Sequence, residues 1–227
     1  MEFMASCKKS SDFLKYLIET SSGEEASERI PPLAQLSGEL GVSVSRLREQ
    51  LAVAKAFGLV DVRSRVGIRR LEYSFAPAVQ YSLLYAIKRK HKYFEDFLNL
   101  RCHVENAYFA QAVASLTPAD HQELHKLVED AWAKLEGRPI RIPYEEHRKL
   151  HLAIYRRLEN VFVTGILEAY WDAYESVGLN VFADYEYLQK GWDYHQRLVE
   201  AISQGDTEQG LRLLREHFDL LIELIIS

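Results

Sequence analysis

Leu33-Ala34-Gln35-Leu36-Ser37-Gly38-Glu39-Leu40-Gly41-Val42-Ser43 decides the reading of this chain. Pro31-Pro32 can open a helix, and Leu33, Leu36 and Leu40 fall on one side of it. Gly41 stands where a helix ends in a left-handed residue, and Ser43 can cap the next helix. That next helix, running to about Phe57 with Leu47, Leu51, Val53 and Ala54 as its apolar positions, stops at Gly58. A further helix over residues 11–20 precedes this pair, behind an acidic loop over Ser21–Glu28. Downstream, Leu59–Val62 and Val66–Leu71 read as two short strands joined by a tip at Ser64 and its flanking arginines. Helix, helix, turn, helix, strand, tip, strand is the order of a winged helix-turn-helix, which sets its third helix in the major groove and its hairpin tip beside it.

Charge points the same way. Ser43–Arg70 holds Arg46, Arg48, Lys55, Arg63, Arg65, Arg69 and Arg70 against only Glu49 and Asp61, although the whole chain carries a net charge of −5. A basic strip on an acidic protein suits phosphate contact. Arg46 and Arg48, two positions apart, lie about 200° apart around a helix axis, so only one of them can point into the centre of a groove.

A linker is expected over Leu71–Val79, with Pro77 inside it. Beyond it the pattern is helical throughout, with spans at 79–103, 104–115, 118–136, 144–158, 160–178, 185–203 and 207–226. The chain is thus expected to be mainly α, with a winged helix-turn-helix over 1–75 and an all-helical bundle of about seven helices over 76–227. At 227 residues, 48% hydrophobic and 27% charged, the composition is that of a globular protein with a sizeable core. No stretch reaches the roughly 18 apolar residues of a membrane span. Met1-Glu2-Phe3-Met4 lacks the opening of a signal peptide, so the expected compartment is the cytosol. Two cysteines, Cys7 and Cys102, imply neither a disulfide framework nor a thiolate metal site.

Eight histidines are present. His121/His125 and His147/His151 are i,i+4 pairs, a spacing that places two imidazoles on one helical face. The first pair lies in a polar helix and is expected to face solvent. The second has Leu150, Leu152, Ile154 and Tyr155 around it, so part of its face is buried. His195 and His217 also sit among helix-core residues, where an imidazole must be hydrogen-bonded or ligated. On spacing alone, a shared metal site and satisfied structural histidines both remain open. Glu146, beside His147, faces another way along its helix. No general base stands at a telling spacing, so the chain is not read as an enzyme.

The 33–43 stretch, Leu47-Arg48-Glu49-Gln50-Leu51, Gly58-Leu59-Val60 and Gly67 resemble the DNA-binding domain of GntR-type bacterial regulators. The helical remainder resembles the FCD effector domain of the FadR branch: Arg101 and Glu105 match its Arg-x3-Glu, His147 to His151 its Asp-x2-Phe-His, Asn160 the Asn after it, and His195 and His217 its later histidines. This resemblance implies a homodimeric transcriptional regulator on a near-palindromic operator. With the winged-helix reading, Ser43, Ser45, Arg46 and Arg48 of the third helix and Arg63, Arg65 and Gly67 of the wing are the expected contacts to double-stranded DNA, Arg48 being retained from the family and Arg46 an addition to it. The resemblance also implies a divalent metal, Zn or Ni foremost, on His147, His151, His195 and His217, and a small organic acid effector met by Arg101. Two departures stand out. His147 replaces the family's Asp, leaving four neutral imidazoles, a set that suits Zn, Ni, Co, Cu and Fe and disfavours Mg and Ca. Ala34 and Val44 replace two customary arginines in the DNA reader. The alternatives are a metal-free regulator with structural histidines and a His-ligated metalloenzyme.

Overall fold

The computed structural model describes residues 11–21, 28–179 and 184–226. Residues 22–27 of the loop expected over Ser21–Glu28, Cys7 and the N-terminal four residues lie outside them. The chain divides into two compact units, residues 1–78 and 79–227.

In the first unit, α3 (Val44–Ala56) packs against α1 (Asp12–Glu19), α2 (Leu33–Leu40) and the edge of a small sheet. Ser11 caps α1 and Ser43 caps α3 through the amide of Arg46, while Gly41 ends α2 in a left-handed conformation at φ 64°. Strands β2 (Val60–Arg63) and β3 (Gly67–Arg70) form the expected antiparallel hairpin, with Val62 opposite Ile68 and Arg63 opposite Gly67. A third strand, β1 (Arg29–Ile30), pairs with the other edge of β3 and gives the order β1-β3-β2. Two residues in front of two prolines are too short a segment to show alternation, which is why sequence periodicity passes over it. Phe13, Leu36, Leu47, Ala54 and Val60 are essentially inaccessible and make the core. Val53, counted among the apolar face of α3, instead lies 44% exposed.

Among the described residues, seven helices follow, the first of them crossing the boundary into the second unit: α4 (Ala76–Arg89), α5 (Lys92–Ala114), α6 (Pro118–Leu135), α7 (Tyr144–Tyr155), α8 (Val161–Ser176), α9 (Tyr185–Ser203) and α10 (Thr207–Ile226). Two expectations need correction. The linker is shorter, because α4 already begins at Ala76, whose amide is met by Ser74 Oγ, and Pro77 sits in its first turn, where a missing N–H costs nothing. The first helical break falls at Lys90-His91, not at residue 103. Position 103 lies within a continuous α5, where Arg101 and Glu105 pair one turn apart. Elsewhere the punctuation holds: Thr117 and Asp120 form a reciprocal capping box at the start of α6, and Asn160 caps α8 by accepting from the amides of Phe162 and Val163. The core runs from Phe94 and Leu98 through Leu124, Leu150, Tyr170 and Trp171 to Leu198 and Leu214. Helix α9 packs along α10, α6 against α7 and α9, and α5 against α7, α8 and α10. None of the described helices is long and apolar enough to cross a membrane.

Candidate functional site

The four histidines arrive from three helices. One turn apart on α7, His147 and His151 aim at the same side. His195 comes from α9 and His217 from α10, the two helices that pack most extensively together. Ring centroids are 4.2 Å apart for His195 and His217, 4.7 Å for His147 and His195, and 5.1 Å for His147 and His151. One donor nitrogen from each ring lies within 4.8 Å of all the others. His151, His195 and His217 are buried and His147 is half-buried. Around them stand Trp171, Tyr174, Trp192 and Phe218, with Trp171 4.7 Å from the His147 ring and Trp192 4.8 Å from the His195 ring.

Burial in this aromatic shell disfavours the charged imidazolium. It holds His147, His195 and His217 well below the ordinary histidine range and His151 below it, and mutual repulsion among the rings and with Arg101 adds to the effect for the first three. Four neutral imidazoles therefore face one another. Their nitrogens are poorly provided with protein partners: His147 Nε2, His195 Nδ1 and both ring nitrogens of His217 are buried without one. Orphaned buried nitrogens in such number are costly unless something ligates them. Metal–nitrogen bonds of about 2.0–2.1 Å place neighbouring donors about 3.0–3.4 Å apart. His151 Nε2 and His195 Nε2 already stand 3.2 Å apart. On orphaned donors and donor chemistry the residues fit a divalent transition ion, toward which the outermost donors, up to 4.8 Å apart, would draw in. Beside His147, a small cavity of about 20 Å³ lies between Tyr144, Tyr174, Leu188 and Trp192, room for about one water.

Behind His151 lies a buried ion pair. Arg101 is fully buried on α5, donates from Nε to Glu105, and places Nη2 3.0 Å from His151 Nδ1. Its guanidinium lies over the Tyr170 ring at 4.2 Å and beside those of Phe218 and Trp171, and Nη1 has no partner. Glu105 Oε2 lies 3.0 Å from the same His151 nitrogen. Burial alone would raise the Glu105 carboxyl, but opposition led by the Arg101 guanidinium holds it below its ordinary value. Sequence reasoning matched Glu105 to a motif and gave it no part in the site. The available signal was its i,i+4 spacing from Arg101, a favourable pairing distance on a helix.

The basic face of the first unit is built differently. Ser43, Ser45, Arg46 and Arg48 at the start of α3 are all exposed, with Arg46 and Arg48 flanking the buried Leu47 on its two sides. Arg46 pairs with Asp12 of α1 at 3.2 Å, and Arg63 with Asp61 at 2.7 Å. Arg48 and Arg65 are exposed with no ion pair among the described residues. Arg65 takes a left-handed φ of 64° at the wing tip, and Gly67 follows at φ 93°, a conformation that disfavours a side chain. Away from both places, His125 is exposed and touches Ser203, and His121 is half-buried. Glu146 pairs with Lys134 at 2.7 Å.

Residues 96–220 match the FCD domain. Among solved structures, a Streptococcus agalactiae GntR protein superposes with a TM-score of 0.61 at 20% identity, over 92% of this chain and 94% of that one. E. coli McbR/YncC superposes with a TM-score of 0.52, also at 20% identity, over 96% and 98%. None of the curated proteins matches the chain by sequence.

Proposed function

The chain belongs to the FCD-domain family of GntR-type regulators, and from that premise we propose that it is a cytoplasmic, homodimeric transcriptional regulator that reads a near-palindromic operator and responds to a divalent transition ion and a small organic acid. The observation that carries the sensing half is the convergence of His147, His151, His195 and His217 from three helices, with their donor nitrogens within 4.8 Å of one another. Those imidazoles would hold the ion, Zn²⁺ or Ni²⁺ by donor type, which would supply a buried positive centre that favours an anion. The unpartnered Nη1 of Arg101 is the donor an effector carboxylate would meet. Ser43, Ser45, Arg46 and Arg48 would meet DNA from α3, one of the two arginines in the major groove and the other on phosphate, with Arg63, Arg65 and Gly67 serving the wing. Two-fold pairing of the reading heads selects two-fold symmetric DNA.

Elemental analysis of the purified protein, before and after chelation and after reloading, tests the metal reading. One Zn²⁺ or Ni²⁺ per chain is expected, absent when His195 and His217 are both replaced by Ala. Protein that retains no ion would sink the reading. A genomic pull-down tests the other half, and failure to enrich any promoter-proximal site would overturn it.

A further inference from the structure

His151 Nδ1 has two suitors at the same distance. Arg101 Nη2, always protonated, can only donate to it; the carboxylate oxygen Oε2 of Glu105 can only accept from it. Both stand 3.0 Å away. A neutral imidazole carries one N–H, so Nδ1 serves one partner at a time, and the choice fixes the state of Nε2 at the other end of the ring. With Nδ1 as acceptor for Arg101, the proton sits on Nε2 and points at His195 Nε2, 3.2 Å off. With Nδ1–H donating to Glu105, Nε2 presents a lone pair toward the centre of the cluster.

Without an ion, each arrangement leaves one more buried polar atom unserved, Glu105 Oε2 in the first and Arg101 Nη2 in the second, and what separates them is where the loss falls. Arg101 already has Nη1 buried and unpartnered, and losing Nη2 as well would orphan two donors of a buried cation. Glu105 keeps the bond from Arg101 Nε to Oε1 in either case, so its carboxylate stays paired even when Oε2 gives up the His151 ring. When Nε2 of His151 gives its lone pair to an ion, its proton must go to Nδ1, where Glu105 is the only acceptor of the two. The ring's total protonation is unchanged, since one proton leaves Nε2 and one is taken up at Nδ1.

We propose that His151 is a tautomer switch: Nδ1 accepts from Arg101 in the ion-free protein and donates to Glu105 when Nε2 serves as a ligand. This inference rests on the metal reading above. Helix α5 supplies no imidazole to the cluster, yet both Arg101 and Glu105 sit on it. Their exchange of His151 is thus a route by which occupancy of the site reaches that helix. Glu105 also supplies the nearby negative charge that His147, in place of an Asp, does not, in the manner of a carboxylate behind a metal-bound histidine.

Two opposed substitutions test this. Competition with a chelating dye, using Zn²⁺ alone and Ni²⁺ alone, is expected to show ion affinity falling about 10–100-fold in Glu105→Gln, the usual cost of losing such a partner. Affinity is expected to rise in Arg101→Met, which removes the competitor for Nδ1. A merely structural ion pair would lower affinity in both variants alike, and that result overturns the switch. Ring ¹⁵N spectra of histidine-labelled wild-type protein give a readout that needs no variant to fold. The His151 N–H is expected on Nε2 in the ion-free protein and on Nδ1 after Zn²⁺ is added. Unchanged assignments on loading overturn the switch while leaving the metal reading intact. If wild-type protein binds neither ion, the metal reading itself fails and the switch fails with it.

Discussion

Arg48 and Arg65 stand in water on one unit; His195 and His217 stand in a dry core on the other. Both are sets of polar side chains gathered for recognition, yet they obey different rules. Exposed guanidiniums keep their hydration, interact weakly with one another across water, and are expected to act additively. The imidazoles have lost their hydration, and four of their nitrogens have no replacement among the described residues. The difference teaches where binding energy is stored. In the winged helix it comes from the ligand's own charge when DNA arrives. In the bundle much of it is set aside at folding, as unsatisfied donors that only a ligand relieves.

The largest effect that can break this comparison is expected at His217. Replacing it with Leu removes one of the four converging donors, so affinity for Zn²⁺ or Ni²⁺ is expected to fall by more than the roughly 100-fold that loss of an outer partner costs. The same change removes two buried unpartnered nitrogens. Such a group costs about 1–3 kcal/mol, and at this size 1 kcal/mol is worth about 2–4 °C. Ion-free His217→Leu is therefore expected to melt about 4 °C or more above ion-free wild type while binding less ion. A variant that both melts lower and binds less would show the histidine to be an ordinary packing residue, and the comparison would fail.

A second effect, intermediate in size, follows from pH. Burial lowers the affinity of all four histidines for protons in the folded protein, whereas the unfolded chain takes up protons near 6.5. Protons thus bind the unfolded state preferentially as pH falls through that value. Stability is fully present above about pH 6.5 and declines below it, by up to about 1.4 kcal/mol per pH unit for each imidazole. The three tryptophans, Trp132, Trp171 and Trp192, all lie in the second unit, so urea unfolding followed by tryptophan fluorescence reports the bundle alone. Its midpoint in chelated protein is expected to hold steady from pH 8 to 7 and drop between 6.5 and 5.5. A flat midpoint through that window would mean the rings are not buried neutral.

The two regions also differ in how much of them the sequence discloses. The winged helix is written in consecutive residues: Gly41 and Ser43 mark the turn, and the arginines that border the hairpin tip announce the wing. What escaped there was β1, since a two-residue strand has no periodicity, and the hold of Asp12 on Arg46, which joins two helices 34 positions apart. In the bundle, helix limits were legible wherever Pro, Gly or a cap stood, as at Thr117-Pro118 and Asn160. The Lys90-His91 break carries no such mark. Of the four converging histidines, spacing alone grouped only His147 with His151. Bringing His195 and His217 to the same point depends on how α9 and α10 pack, which local pattern does not encode, so resemblance to a known family had to supply it. Glu105 was hidden for the same reason: its partner His151 lies 46 positions away.

The smallest expected effect sharpens the comparison from the DNA side. Arg48→Ala and Arg65→Ala remove exposed charges without ion pairs among the described residues, so each is expected to change stability by no more than about 0.5 kcal/mol. If each meets a phosphate, the slope of log affinity against log salt should shrink by about 1 per substitution, uniformly across DNA sequences, and the double variant should lose about 2. Arg46→Ala is expected to differ, because Arg46 is already shared with Asp12 at 3.2 Å and must give up that contact to reach DNA. Its slope change should be smaller than that of Arg48, and Asp12→Asn should tighten DNA binding slightly by releasing it. Mobility-shift titrations from 50 to 200 mM salt read all of these on one scale. If Arg48→Ala leaves the slope unchanged while Arg46→Ala reduces it fully, the ion pair is no restraint, and Arg46 is the residue that holds the backbone.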